Sequence, residues 1–113
     1  MKRQVLTPTE AAVILGVSDE TIRNLCRAGH IKAEKIGILW RVFKTDFYRQ
    51  FKIPQSWKPL DGARFMTCTK AASELAISVR KIQEMCGVDF PAYKVARFWV
   101  IPIAPFKKKF KLA

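Results

Sequence analysis

Between Leu6 and Gly29 the apolar positions fall at helical spacing twice, with one glycine between the two sets. Ala11, Ala12, Ile14 and Leu15 form the first apolar face, and Gly16 interrupts it. Thr7 suits the N-cap of this helix, Pro8 its first position, and Glu10 completes a capping box three residues after Thr7. Ile22, Leu25 and Cys26 then recur at i, i+3 and i+4, predicting a second helix with those three inward. Ser18 caps it and Gly29 stops it. Asp19, Glu20, Arg23, Asn24 and Arg27 are left on its outer face. From His30 the period changes to two. HIKAEKI, a turn at Gly37 and Ile38, and LWRV predict a β-hairpin, with Ile31, Ala33 and Ile36 near the core and Lys32 and Lys35 outward. Thr45 is placed to cap a short closing helix, DFYRQF, with Phe47 and Phe51 inward and Tyr48 and Arg49 nearer solvent.

The pattern then returns. Residues 66–86 lie over residues 6–26 without a gap. Thr7, Thr9, Ala11, Ala12, Leu15, Ser18, Ile22 and Cys26 meet Thr67, Thr69, Ala71, Ala72, Leu75, Ser78, Ile82 and Cys86. One residue is lost near Gly87, after which Ala33, Lys35, Trp40, Phe47 and Phe51 meet Ala92, Lys94, Trp99, Phe106 and Phe110. Matched inward positions with one slip at a turn read as an internal duplication. The second copy departs in places. Ala76 stands for Gly16, and Pro102 and Pro105 stand for Phe43 and Asp46, which predicts a short or missing second closing helix. Residues 1–51 are therefore read as one module, 52–64 as a linker, and 65–113 as a second module with a basic tail, KKKFKLA. The linker, KIPQSWKPLDGAR, reads as non-helical and stiff, with Trp57 an apolar peg between modules.

Two short helices joined by a tight glycine turn, the second with a polar outer face, make a helix-turn-helix. The second helix has the form that lies in a DNA major groove. Across residues 6–51, TPTEAA, GVS, the Gly29 stop and WRV keep a joint spacing that resembles the excisionase-type, MerR-like winged helix-turn-helix family. The resemblance implies a recognition helix, then a hairpin wing near the minor groove or backbone, then a closing helix. For the whole chain it implies an α+β fold: two tandem winged helix-turn-helix modules packed as an internal pseudo-dimer with β-hairpin wings. The fused tandem is also similar to the TraN-type accessory proteins of Gram-positive conjugative plasmids.

Charge narrows the partner. The net charge is +12, from 21 basic and 9 acidic residues among 113, which calls for a polyanion, nucleic acid ahead of an anionic membrane. Modules of roughly 50 residues bury little core alone, so the halves are expected to pack on each other in a monomer. No apolar run reaches the ~18 residues of a membrane span. The start, MKRQVLTPTE, lacks an apolar leader, so a cytoplasmic location is expected. The 3 cysteines have no metal spacing. Cys26 and Cys86 are expected in the core, Cys68 partly exposed, and no disulfide is expected. His30 has no partner spacing and reads as a turn residue; Trp40 and Trp99 read as packing residues. With no catalytic constellation in view, the expected role is non-enzymatic, without metal or cofactor.

The expected ligand is double-stranded DNA. Arg23, Asn24 and Arg27 in the first module, and Arg80, Lys81 and Gln83 in the second, are the candidates for base edges and flanking phosphates. Ser18 and Ser78 stand at the starts of the two reading helices. By the resemblance, the wing residues Lys32, Lys35 and Arg41 are phosphate candidates. Lys94 is equivalent to Lys35, Arg97 lies near the second hairpin turn, and Lys107, Lys108 and Lys109 form a backbone-grasping tail. Lys2 and Arg3 are weaker phosphate candidates on a basic lead that also reads as a frayed end. The linker, if flexible, spans roughly 20 Å on average and about 40 Å at most, against about 34 Å for one DNA turn. The expected role is an accessory or regulatory factor for conjugative transfer, binding near a transfer origin or operon promoter, with a relaxase or integrase of the same element as a further partner. An excisionase that bends DNA, a transcriptional repressor, and a basic protein-interaction adaptor are the alternatives.

Overall fold

A computed structural model describes residues 4–112, so the candidates Lys2 and Arg3 lie outside the described residues. The chain divides into two compact units, the first ending at Ala63 and the second beginning at Arg64. Among the described residues there are six α-helices and two three-stranded sheets. None of these helices is long and apolar enough to cross a membrane.

The first unit runs β1 (Val5–Leu6), α1 (Pro8–Leu15), α2 (Asp19–Arg27), β2 (Ala33–Ile36), β3 (Leu39–Phe43) and α3 (Lys44–Gln50). Helix α1 starts on the expected capping box: Thr7 Oγ1 accepts from the Glu10 N–H, and Glu10 Oε1 accepts from the Thr7 N–H. It ends where Gly16 turns left-handed at φ 69° and donates back to the last turn. Ser18 accepts from the Thr21 N–H and opens α2 as expected. At the other end Gly29, at φ 82°, lets the His30 N–H reach the Leu25 carbonyl. Strand β3 lies central, antiparallel to β1 and β2, with Leu6 opposite Val42 and Ala33 opposite Val42. Ile14, Leu15, Ile22, Val42 and Phe47 are among the fully buried side chains beneath it.

Several expectations fail in this unit, each for a local reason. Helix α3 begins at Lys44 with Phe43 at its N-cap and no side-chain cap bond, so Thr45 is not the cap. Tyr48 is not near solvent; it is 0% exposed. Residues 52–63 fold back against Tyr48: its hydroxyl donates to the Trp57 carbonyl, its carbonyl accepts from the Ile53 N–H, and Ile53 joins the buried set. Within the same segment a 3-10 turn spans Pro59–Asp61 and packs against α1. The Trp57 indole N–H donates to the Gly62 carbonyl. Ile36 is 57% exposed rather than near the core, because it lies an odd number of residues from Ala33 and strand alternation sends it to the opposite face.

The second unit has the same order of elements: β4 (Phe65–Thr67), α4 (Cys68–Leu75), α5 (Val79–Met85), β5 (Tyr93–Val95), β6 (Phe98–Pro102) and α6 (Ile103–Lys109). Its central strand β6 pairs antiparallel with β4 and β5, placing Met66 opposite Ile101 and Lys94 opposite Trp99. Thr67 and Ser78 cap α4 and α5. Ala76 takes the left-handed turn, φ 54°, that Gly16 takes in the first unit. Helix α6 is neither short nor missing: it has 7 residues, as α3 has. Pro102 stands at its N-cap and Pro105 in its first turn, where the missing N–H has no intrahelical partner to lose. Cys68 is buried, not partly exposed, and its Sγ lies 3.8 Å from that of Cys86. Lys107, Lys108 and Lys109 close the last turn of α6, and Phe110 and Leu112 pack against the core. The basic run is thus the end of a docked helix rather than a free tail.

Candidate nucleic-acid interface

The amphipathic pattern of α2 fixes its outer face. With Ile22, Leu25 and Cys26 buried, Glu20, Arg23, Asn24 and Arg27 are all exposed. Arg23 and Arg27 are one turn apart, and the Arg27 guanidinium donates to Asn24 Oδ1 at 3.1 Å. That bond engages the amide oxygen rather than the NH2 group. Asp19 is held differently. Its Oδ2 accepts from the Thr9 hydroxyl at 2.6 Å, which turns the carboxylate toward α1. That carboxylate is therefore engaged inside the motif, while it and Glu20 complement the positive end of the helix.

Helix α5 presents Val79, Arg80, Lys81, Gln83 and Glu84 to solvent around the buried Ile82. Arg80 Nε is 3.8 Å from Glu84 Oε1, an exposed pair one turn apart. No acid occupies its first turn, whereas α2 has two there. The two outer faces consequently offer different donors and acceptors on matched scaffolds.

Each hairpin carries a lysine held over a tryptophan. Lys35 sits opposite Trp40 with Nζ 5.8 Å from the ring centroid, and Lys94 sits opposite Trp99 with Nζ at 5.9 Å. Both lysines are exposed and both indoles half-buried, so the ring anchors the stem while the ammonium faces water. Arg41 is half-buried on the other face of β3, its Nη1 donating to the Trp40 carbonyl at 2.8 Å. Lys32 is exposed just before β2, and its carbonyl accepts from Phe43, extending the hairpin pairing by one step. Arg97 is exposed in the second hairpin turn, beside Ala96 at φ 54°. Lys108 and Lys109 are exposed and Lys107 half-buried. The outer residues of α2 and the hairpin cations of the first unit share one unit; those of α5, Lys94, Arg97 and the α6 lysines share the other.

The sequence reading missed the tip of the first hairpin. Ile36, Ile38 and Leu39 are 57%, 90% and 51% exposed around the Gly37 turn. The signal was present as strand parity: Ile36 and Leu39 pair across the ladder on the face that Glu34 and Arg41 share.

All three cysteines are free thiols and buried. Burial pushes the Cys26 thiol up. Burial, then the neighbouring Cys68, pushes Cys86 to about 12. Among the described residues, no group of His, Cys, Asp and Glu is arranged to hold a metal ion.

No curated protein and no solved structure matches the chain. The segment that builds α1, the turn, α2 and the hairpin does match a known family: residues 5–49 fit the model of the helix-turn-helix domain, and the first unit contains that domain.

Proposed function

We propose that the chain binds double-stranded DNA sequence-specifically through both units, with α2 and α5 as reading helices and the two hairpins as wings. The observation that carries this reading is the pair of capped reading helices, Ser18–Arg27 and Ser78–Met85, each with a buried apolar side and an exposed face of long polar side chains. Arg matches guanine and Asn or Gln matches adenine in the major groove. The charge of +12 supplies the backbone attraction. No catalytic step is assigned to it.

The second unit is read as a diverged copy of the first. Support comes from the residues shared by residues 6–26 and 66–86, from the common order of elements, and from the repeated Lys–Trp pair. Because the outer faces of α2 and α5 differ, the target is two unlike half-sites. The biological role proposed is an accessory or regulatory factor of a mobile element, acting in conjugative transfer near a transfer origin or operon promoter, with a relaxase or integrase as further partner. The family match at residues 5–49 also favours an excisionase that acts on an integrase's recombination ends.

A footprint across the element that encodes the protein, at near-physiological salt, tests these readings. Two adjoining half-sites beside a transfer origin or promoter support the conjugation role. Protection at the recombination ends supports the excisionase. Salt-sensitive smearing without a discrete footprint overturns sequence-specific recognition.

A further inference from the structure

The first hairpin ends in side chains that a merely solvated wing does not need. Ile36 and Leu39 form its last ladder pair, and Ile38 projects from the two-residue loop between them, 90% exposed. At about 3.4 Å per residue, the three steps from Ala33 to Ile36 carry the last ladder pair roughly 10 Å beyond Ala33. Cations outnumber acids around it: Lys35 lies on one face of the hairpin, half-buried Arg41 opposite exposed Glu34 on the other, and Lys32 at the base. The second hairpin lacks this feature. Its loop holds Ala96 and Arg97, Val95 is 3% exposed, and Phe98 is half-buried.

An apolar point flanked by three cations and a single acid, Glu34, selects its occupant. Three side chains cover far less than the ~1,000 Å² a stable protein interface requires, and the surrounding lysines and arginine repel a second copy of this basic chain. A nucleic-acid duplex offers what the tip lacks: phosphates for the cations and base faces for the apolar side chain. The B-DNA minor groove is about 6 Å wide, and paired strands are about 4.8 Å apart before side chains are counted. The groove therefore admits a side chain at the tip, not the two-stranded body. We infer that Ile38 is a wedge that enters the minor groove and partly unstacks one base step, kinking the duplex on the side bound by the first unit. Pyrimidine–purine steps, which unstack most readily, are the preferred sites. This rests on the duplex-binding reading above.

The test uses the full chain and a duplex carrying its footprinted sequence. 2-Aminopurine placed at successive steps reports unstacking, and end-to-end energy transfer reports the bend. The wild-type chain should brighten the probe at one step and bend the duplex by roughly 20–90°. Ile38→Ser should keep the footprint but lose both signals, and Ile38→Leu should retain them. Arg97→Ala should lower affinity and leave the unstacking signal in place. A wild-type complex that stays straight and stacked overturns the wedge alone, as does an Ile38→Ser complex that still bends. If Ile38→Ser instead dissolves a self-associated form seen by sedimentation and leaves DNA geometry untouched, the tip is a contact between copies and the wedge is wrong. A wild-type chain with no footprint removes duplex reading itself, and the wedge with it.

Discussion

At the scale of single residues, the left-handed turn between the two helices separates the units most clearly. Gly16 adopts φ 69° without a side chain to oppose it, whereas Ala76 adopts φ 54° with one. A Cβ in that region costs roughly 1–2 kcal/mol, only partly offset by the lower chain entropy an alanine loses. Ala76→Gly should thus stabilise the chain by about 0.5–1 kcal/mol, and Gly16→Ala should destabilise it by about 1 kcal/mol. Chemical denaturation of the two variants checks both signs. The Cys86 thiol adds a pH dependence. Its value rises from 9.0 in an open chain to about 12 when folded, because burial disfavours the thiolate. The folded state then holds a proton that the unfolded state has released, so this group's contribution is whole below about pH 9 and is lost as the pH climbs toward 12. A denaturation series across that window should show stability falling, and Cys86→Ala should flatten the fall. Thr7 and Ser18 were legible as caps in the sequence, and Thr67 and Ser78 as their counterparts, since they act through bonds only a few residues long, whereas Thr45 was misplaced because α3 starts one residue earlier, at Lys44. Tyr48 was not, because its burial depends on chain that follows it.

At the scale of elements, periodicity predicted α1, α2, α4, α5 and both hairpins, since each buries one face whose spacing shows in the chain. It failed at α6, where two prolines imitate breakers although both fall at the helix start. It also misjudged residues 52–63, whose turn composition hid a segment that packs through Ile53 and is pinned by the Tyr48–Trp57 bond. A free linker would tolerate truncation of Ile53, whereas a packed segment would not: Ile53→Ala should cost about 3 kcal/mol in denaturant unfolding. The roles assigned to α2 and the first hairpin also differ measurably. Arg23→Ala should relax base preference at one position, worth about 1–3 kcal/mol between right and wrong base pairs. Lys35→Ala should weaken every sequence alike and lower the slope of log affinity against log salt by about 0.9. Uniform losses in both variants would dismiss Arg23 as a reader of bases.

At the scale of the whole molecule, the reading helices differ in charge while their scaffolds agree, so each unit should contribute a separate share of recognition. Helix α2 begins with two acids and ends with Arg27; α5 places Arg80 and Lys81 in its first turns. Joining two binding units in one chain makes the second encounter intramolecular, which raises overall affinity by a factor on the order of 10²–10⁴ when both sites can be engaged. Disabling one reader without unfolding its unit should forfeit that factor. Arg80, Lys81 and Gln83 are all exposed around the buried Ile82, so replacing the three together by alanine should leave the fold intact, which circular dichroism and thermal unfolding verify. The footprint should then contract to the half-site read by α2, with affinity lower by about 10²-fold or more. The salt slope should drop only by the phosphates those side chains neutralise, about 0.9 for each. A full-length footprint, weakened evenly along its length, would instead mean that α5 supplies charge without reading sequence. The different outer faces of the two helices would then reflect relaxed constraint on the second unit rather than a second half-site.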